Sequence, residues 1–209
     1  FGEFSGAQGI SIRYAICEPE APKGAILFSN GRIETLIKYK AFAYECYQNG
    51  IALYMLDHRG QGRSGRMVTD SQRGYVGDFQ HYVNDLKYFA ECVVSPRCQF
   101  PPVLVCHSMG SAIGYLTALQ SPGLFPKVMF CSPMFGVRPA IPDVALNAML
   151  LMGLQTNQWC STTPWYAFGQ GPYIDIPFKI NTLTHSNVRY QLFRQEYKQQ
   201  PSLQLGGVT

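Results

Sequence analysis

The sequence predicts an α/β fold in which a mostly parallel β-sheet is flanked by helices on both faces. Short apolar runs alternate along the chain with longer segments in which apolar residues recur at helical spacing. The apolar runs are hydrophobic on both faces, which is typical of strands buried within a parallel sheet. The alternation of strands and helices favours this architecture over an antiparallel sheet.

The strands are predicted from their apolar patterns. Polar and apolar residues alternate over Ile10–Cys17, which is typical of a half-buried strand, and a Pro-rich turn follows it. Continuous apolar runs predict four buried strands at Ala25–Ser29, Ile51–Leu56, Val103–Val105 and Val128–Cys131.

Helices are predicted between these strands. Apolar residues recur at helical spacing over Leu36–Gln48, and Asn49-Gly50 ends that helix. Asp78 is expected to N-cap a second helix that continues to Val93, and a third helix is expected from Ser108 to Gln120. Residues 1–133 are therefore assigned to the core of the domain.

The pattern changes after residue 133. Residues 134–200 lack a clear strand–helix alternation and contain several prolines and both tryptophans. We interpret this region as a helical cap inserted into the core, with residues 201–209 as the start of its return. The apolar segment Val144–Leu154 predicts a helix that covers the open edge of the sheet, and contact with an acyl chain or a membrane surface is the alternative.

Composition limits the class of protein. The chain has 209 residues, enough for one domain with a sizeable core, and a net charge of +4. Its lysines and arginines are scattered, so no nucleic-acid partner is predicted. No apolar run approaches the roughly 20 residues that a membrane helix needs. The absence of an initiator Met before Phe1 indicates an N-terminus that has been cut.

The cysteines predict a reducing compartment. The sequence contains seven, with no CxxC pair, so neither a disulfide framework nor a metal site is expected. Cys46, Cys92, Cys106 and Cys131 lie in apolar patterns and are expected to be small buried hydrophobes. No metal or organic cofactor is predicted.

The segment Val103–Ser111 carries the most chemical information. An apolar strand pattern stops at His107-Ser108, and a helical pattern with small residues begins at once. This layout is typical of a nucleophile elbow, in which a strained turn exposes a serine at a helix N-terminus. Cys106 stands where the usual G-x-S-x-G pattern has its first glycine, and Gly110 retains the second. A serine that merely N-caps a helix is the alternative.

A second turn, Asn30-Gly31-Arg32, follows a strand and precedes a helix. Acyl transfer requires two backbone N–H groups directed at the developing oxyanion. Met109, the residue after the serine, supplies one candidate donor. Arg32, in a loop expected beside the elbow, supplies the other.

The glycines Gly60, Gly62 and Gly65 match the pattern G-x-G-x-x-G after a strand. A phosphate cradle needs a helix N-terminus directly behind these glycines, but the next helical pattern begins only at Asp78. We therefore interpret them as a tight loop, and a nucleotide-dependent oxidoreductase is the weakest of the functional alternatives.

Taken together, these motifs resemble the α/β-hydrolase fold and, within it, the bacterial lysophospholipase and monoacylglycerol lipase branch. The likeness covers nearly the whole chain in the same order. It is carried by Asn30-Gly31-Arg32-Ile33-Glu34, Asp57-His58-Arg59-Gly60-Gln61-Gly62-Arg63-Ser64-Gly65, His107-Ser108-Met109-Gly110, Ser132-Pro133-Met134-Phe135-Gly136, Asn181-Thr182-Leu183-Thr184-His185-Ser186 and Arg189-Tyr190.

The resemblance implies an enzyme that hydrolyses carboxylic esters of monoacyl lipids through an acyl-enzyme. Ser108 would be its nucleophile, and the backbone N–H groups of Arg32 and Met109 its oxyanion hole. The expected partner is a small-molecule lipid ester. The expected location is the cytoplasm, with peripheral contact at the inner membrane. The sequence does not specify an oligomeric state.

The sequence departs from the family pattern in its triad. The fold orders the triad as Ser, Asp, His along the chain, with the last two on loops beyond the cap. Only His185 follows Ser108, and the acids Asp143, Asp175 and Glu196 all lie in the cap region. We therefore expect a C-terminally incomplete fragment whose triad acid and base lie beyond residue 209.

Two consequences are expected for such a fragment. Its strand at Lys127–Cys131 would form an unpaired apolar sheet edge, which promotes aggregation. The fragment should therefore be poorly soluble and should have little hydrolase activity alone. A catalytically incomplete protein of the same fold that binds an acyl ligand without turnover is the alternative function.

Overall fold

A computed structural model describes residues 1–136, 143–167 and 170–207. Its centre is a six-stranded sheet with the strand order β1-β2-β4-β3-β5-β6. The strands are β1 (Gly2–Ser5), β2 (Ser11–Cys17), β3 (Gly24–Ser29), β4 (Ile51–Leu56), β5 (Val103–His107) and β6 (Val128–Cys131). The helices are α1 (Lys40–Gln48), α2 (Gln80–Tyr88), α3 (Met109–Gln120), α4 (Asp143–Cys160) and α5 (Asn187–Gln199).

The sheet is mostly parallel, as the sequence predicts. Strands β3, β4, β5 and β6 run parallel to one another. Strands β1 and β2 form an antiparallel hairpin, and β2 pairs antiparallel with β4. All five predicted strands are present, and only the short edge strand β1 was not predicted. The carboxyl ends of β3, β4 and β5 therefore lie at one edge of the sheet, where the loops that follow them meet.

The two faces of the sheet are both covered. Along β4, Leu53 and Met55 belong to a cluster with α1, whereas Tyr54 and Leu56 belong to a cluster with α2 and α3. These four side chains are at most 4% exposed. Since successive side chains of a strand point to opposite faces, β4 is buried on both sides.

Some predicted boundaries and exposures are wrong. The first helical segment begins with a 3-10 turn, Leu36–Tyr39, before α1. Helix α2 begins two residues after Asp78, whose Oδ1 accepts a hydrogen bond from the Gln80 N–H at 2.8 Å, and it continues as a π-helix over Phe89–Val94. Cys92 lies on the exposed side of that π-helix, so the prediction that it is buried is wrong.

Helix α4 is longer than predicted and poorly buried. Its side chains Val144, Leu151, Met152 and Trp159 are exposed. The expectation that it buries its apolar side chains against the sheet edge is therefore wrong for the described residues. No helix among them is both long and apolar enough to traverse a bilayer. The division into a core at 1–133, a cap at 134–200 and a return at 201–209 stays a prediction.

Helix α5 was not predicted, and it fastens the C-terminal segment to the core. Tyr197 packs with Ile37 and Leu203 in a small buried cluster. Lys40 forms an ion pair with Glu196. The Gly206 N–H donates to the Gln72 carbonyl at 2.8 Å. Residues from three parts of the chain thus meet beside the loop that follows β4.

A buried ion pair joins that loop to α2 and to the N-terminal hairpin. The Arg59 guanidinium donates to both carboxylate oxygens of Asp85, at 2.7 and 2.8 Å. Both side chains are at most 1% exposed. Ala7 between β1 and β2 completes the network: its carbonyl accepts from Arg59 and its N–H donates to Asp85, both at 2.9 Å.

Removing one partner of the Arg59–Asp85 ion pair should lower the free energy of unfolding. Asp85→Asn leaves the Arg59 charge buried without a counter-ion, so we expect the free energy of unfolding to fall by about 3–5 kcal/mol in urea denaturation. Lys87→Gln is the matched control, because the neighbouring Lys87–Glu91 pair is 3.9 Å apart and exposed. It should change stability by less than about 1 kcal/mol. Equal effects of the two variants would contradict this interpretation.

Candidate active site

Ser108 occupies a strained turn between a strand and a helix. β5 ends at His107 and α3 begins at Met109, and Ser108 between them has φ 52° and ψ −120°. A positive φ is unfavourable for a residue with a Cβ and persists only when the surrounding structure enforces it. The Ser108 N–H donates to the Cys131 carbonyl at 3.1 Å, and the Ser108 carbonyl accepts from the N–H groups of Ser111 and Met134.

Two glycines provide the space for this turn. A Cβ on Gly110 would lie 2.2 Å from the Ser29 carbonyl oxygen, so only glycine lets α3 approach the end of β3 so closely. A Cβ on Gly114 would lie 2.3 Å from the Sγ of Cys106. Cys106 is therefore accommodated at the usual glycine position because α3 has no side chain opposite it.

The loop that contains Arg32 lies directly against the elbow. A Cβ built on Gly31 would be only 3.0 Å from the Ser108 Cβ. Gln61 fixes the loop from one side: its Nε2 donates to the Gly31 carbonyl at 2.9 Å, and its Oε1 accepts from the Ile33 N–H at 3.1 Å. Ile33 itself has a φ of 58°.

The N–H groups of Arg32 and Met109 are available for an incoming group. Met109 is the first residue of α3, so its N–H has no partner within the helix. The Arg32 N–H has no hydrogen-bond acceptor among the described residues. Both residues adjoin the contact between Gly31 and Ser108. The structure thus brings together the three residues that the sequence predicts, Ser108, Met109 and Arg32.

Glu34 fixes the same loop from the other side. Its Oε2 accepts hydrogen bonds from the Gly31 N–H and the Tyr39 hydroxyl, both at 2.6 Å, and lies 3.0 Å from the His107 Nδ1. Lys38 pairs with its Oε1. Burial raises the pKa of the Glu34 carboxyl. The hydrogen bond from His107, the charge of Lys38 and the hydrogen bonds from Lys38 and Tyr39 outweigh burial and bring the pKa to about 2.

Two further titratable groups lie beneath the site. His58 is fully buried with its Nε2 3.0 Å from the Ser29 Oγ, and burial lowers the pKa of His58 to about 4. Asp57 accepts from the N–H groups of Leu36 and Arg63, both at 2.8 Å. Burial nevertheless raises the pKa of Asp57 to about 6. Both side chains hold loops together and neither contacts Ser108.

The glycine-rich segment after β4 is a loop. Gly60 and Gly62 have φ values of 74° and 54°, and the Gly60 N–H donates to the Gly65 carbonyl at 2.9 Å. A Cβ on Gly62 would lie 2.2 Å from the Asp57 carboxyl carbon. The next α-helix, α2, begins only at Gln80. The segment therefore lacks the helix N-terminus that a dinucleotide site requires.

The described residues do not complete a triad. No hydrogen bond joins the Ser108 Oγ to a histidine within them, and His185 is exposed at the start of α5. Asp175 pairs with Arg194 and Lys198. The placement of the Asp143 side chain lies outside the described residues. The prediction that the triad acid and base lie beyond residue 209 stays a prediction.

Glu34 and Gln61, which contact the loop that contains Arg32, were not predicted as site residues. Both occur in the motifs that carry the family resemblance, but no role was assigned to either. An acidic residue in an otherwise apolar context, followed by Lys38 and Tyr39, was the available signal for Glu34. Nothing local pointed to Gln61, because its partner loop lies about 30 residues earlier in the chain.

The parallel sheet and the serine turn between β5 and α3 define a protein of the α/β-hydrolase fold. The solved structure of a soluble variant of monoglyceride lipase from Saccharomyces cerevisiae, in complex with a substrate analogue, has this fold. It matches with a TM-score of 0.64 and 19% identity over 99% of this chain and 63% of that one. The chain belongs to the family described as serine aminopeptidase, S33 (Hydrolase_4), which matches residues 20–209.

Its relatives in this family include lipid hydrolases. It is 34% identical to lysophospholipase L2 of Escherichia coli (strain K12), over 99% of this chain and 60% of that protein. It is 25% identical to a monoacylglycerol lipase of Mycolicibacterium smegmatis, over 72% of this chain and 52% of that protein. The chain thus spans about three-fifths of the length of the Escherichia coli relative.

The packing of Cys106 against Gly114 can be tested by adding a methyl group at position 114, with and without the sulfur atom at position 106. Gly114→Ala should lower the free energy of unfolding by about 1–3 kcal/mol, because its Cβ would overlap the Cys106 Sγ. In the Cys106→Ala background the nearest atom of residue 106 is the Cβ at 3.7 Å, an ordinary contact, so the cost should be smaller. Gly153→Ala, where nothing lies within 4 Å, is the control. Additive single-variant effects would contradict this packing.

His58 should make the fold sensitive to acid. Its pKa is lowered on folding, so the unfolded chain binds the proton first and the stability contributed by neutral His58 is lost as pH falls from about 6.5 to about 4. In His58→Gln this loss should be absent, so the stability difference between wild type and variant should shrink on acidification. Urea denaturation at pH 7 and pH 5 measures it, with the exposed His185→Gln as control. A difference independent of pH would show that His58 does not titrate as expected.

Proposed function

We propose that this chain carries the nucleophile and the oxyanion hole of a serine hydrolase that cleaves carboxylic esters of monoacyl lipids. The observation that supports this most directly is the juxtaposition of Ser108, held at a positive φ, with the N–H groups of Arg32 and Met109. A strained serine beside two unpaired backbone donors is the arrangement that acyl transfer requires.

The proposed reaction follows from this geometry. The Ser108 Oγ attacks the ester carbonyl carbon while a histidine, supplied by chain outside the described residues, accepts its proton. The negative charge that develops on the carbonyl oxygen is stabilised by the N–H groups of Arg32 and Met109. Collapse of this intermediate releases the alcohol, which takes the proton from the histidine, and water then hydrolyses the acyl-enzyme.

The proposed substrate class rests on the relatives. Proteins named lysophospholipase and monoacylglycerol lipase both match this chain. Both names denote enzymes whose substrate is a lipid with a single acyl chain. The apolar side chains exposed on α4 are consistent with a lipid tail or a membrane surface nearby. A cytoplasmic location and peripheral contact at the inner membrane remain part of the proposal.

A second candidate function is binding of an acyl ligand without turnover. It is favoured by one observation, that no histidine is hydrogen-bonded to the Ser108 Oγ within residues 1–136, 143–167 and 170–207. Covalent labelling of Ser108 by a fluorophosphonate separates the two candidates, because labelling requires an activated serine whereas ligand binding does not.

We expect the full-length gene product that contains this chain to release fatty acid from a lysophospholipid or a monoacylglycerol. Ser108→Ala should lower kcat at least about 10³-fold and abolish fluorophosphonate labelling, because the attacking oxygen is removed. Ser111→Ala, one turn further along α3, is the matched control and should retain both. Binding of acyl ligand with neither hydrolysis nor labelling in wild type would instead support the second candidate.

A further inference from the structure

The proposed oxyanion hole is built from two separate parts of the chain. Arg32 belongs to the loop after β3, and Met109 belongs to the first turn of α3. A pair of N–H donors stabilises an oxyanion only when both point to the same position, and small misplacements reduce the rate. The relative placement of these two segments must therefore be fixed by contacts between them.

One carboxylate oxygen makes such a contact. Oε2 of Glu34 accepts the Gly31 N–H at 2.6 Å and lies 3.0 Å from the His107 Nδ1. Gly31 directly precedes Arg32, and His107 directly precedes Ser108. The oxygen thus bridges the residue before the proposed loop donor and the residue before the proposed nucleophile.

Glu34 is itself rigidly held. Its side chain is 7% exposed, and its two oxygens also receive the Tyr39 hydroxyl and the Lys38 ammonium. Each donor favours the ionised carboxylate, which is a stronger hydrogen-bond acceptor than the neutral acid. The space around the bridge is filled, since a Cβ on Gly31 would lie 2.8 Å from Oε2 and 3.1 Å from the His107 Nδ1.

From this geometry we infer that Glu34 is a positioning residue that sets the Arg32 N–H against the Ser108 elbow through Gly31 and His107. The inference rests on the proposed function and deepens it. Glu34 does not touch the reacting atoms and acts through Gly31 and His107, which directly precede Arg32 and Ser108. The neutral amide of Gln has one acceptor oxygen and carries no charge, so it cannot accept all of these hydrogen bonds.

The test is Glu34→Gln in the full-length gene product, with rates expressed per Ser108 titrated by a fluorophosphonate. We expect kcat to fall by about 10–100-fold with KM changed less than about threefold, because only transition-state stabilisation is lost. The affinity for a trifluoromethyl ketone, which forms an oxyanion on the serine, should fall in parallel. A merely structural role would lower the number of titratable sites and leave kcat per site unchanged.

Glu45→Gln is the matched control, since it makes the same substitution at an exposed position on α1. It should keep kcat within about twofold. His107→Gln removes the same bridge from the side of Ser108, so it can replace Glu34→Gln if that variant does not fold. The effects of the two substitutions on kcat should not be additive, because both remove one interaction. Unchanged kcat per site and ketone affinity in an active enzyme would overturn this inference alone, whereas an inert wild type would overturn the proposed function as well.

Discussion

The close contact between α3 and the end of β3 is the constraint on which the rest of the site depends. Gly110 meets the Ser29 carbonyl at a distance that excludes any side chain, and this contact draws the first turn of α3 over the edge of the sheet. The approach places Ser108 beside Gly31, and within the part of the chain that the structure describes the Met109 N–H has no acceptor. Ser108 in the turn that follows β5 has a positive φ, and hydrogen bonds with Cys131, Ser111 and Met134 hold this turn in place.

Burial affects the three titratable groups of this region differently because their partners differ. Glu34 keeps its charge through donors from four residues, whereas Asp57, with fewer donors, has a pKa raised to about 6. The stability lost on ionising Asp57 is regained as pH falls from about 6 to about 4, the range in which protonation of His58 acts in the opposite direction. Because the two effects oppose each other, comparison of variants at positions 57 and 58 separates the contributions of Asp57 and His58 to stability better than the pH profile of the wild type does.

Much of the fold follows from local sequence patterns. The parallel strands were predictable because burial on both faces leaves a continuous apolar run, and the elbow because its helix begins directly after a strand. Strand β1 was not predictable, since Gly2–Ser5 is short and its stability comes from pairing with β2. Helix α5 was not predictable either, because its sequence is polar and only Tyr190 and Tyr197 are buried. The role proposed for Glu34 depends on a contact with His107, 73 residues away, that no local pattern encodes.

The main-chain donors of the proposed oxyanion hole have an evolutionary consequence. Because every residue except proline carries an N–H, positions 32 and 109 can change their side chains without losing the donors. The Arg32 guanidinium is engaged elsewhere, donating to the Gly207 carbonyl at 2.6 Å. Natural variation at position 32 would therefore alter the contact with the C-terminal segment while the proposed backbone donor is retained.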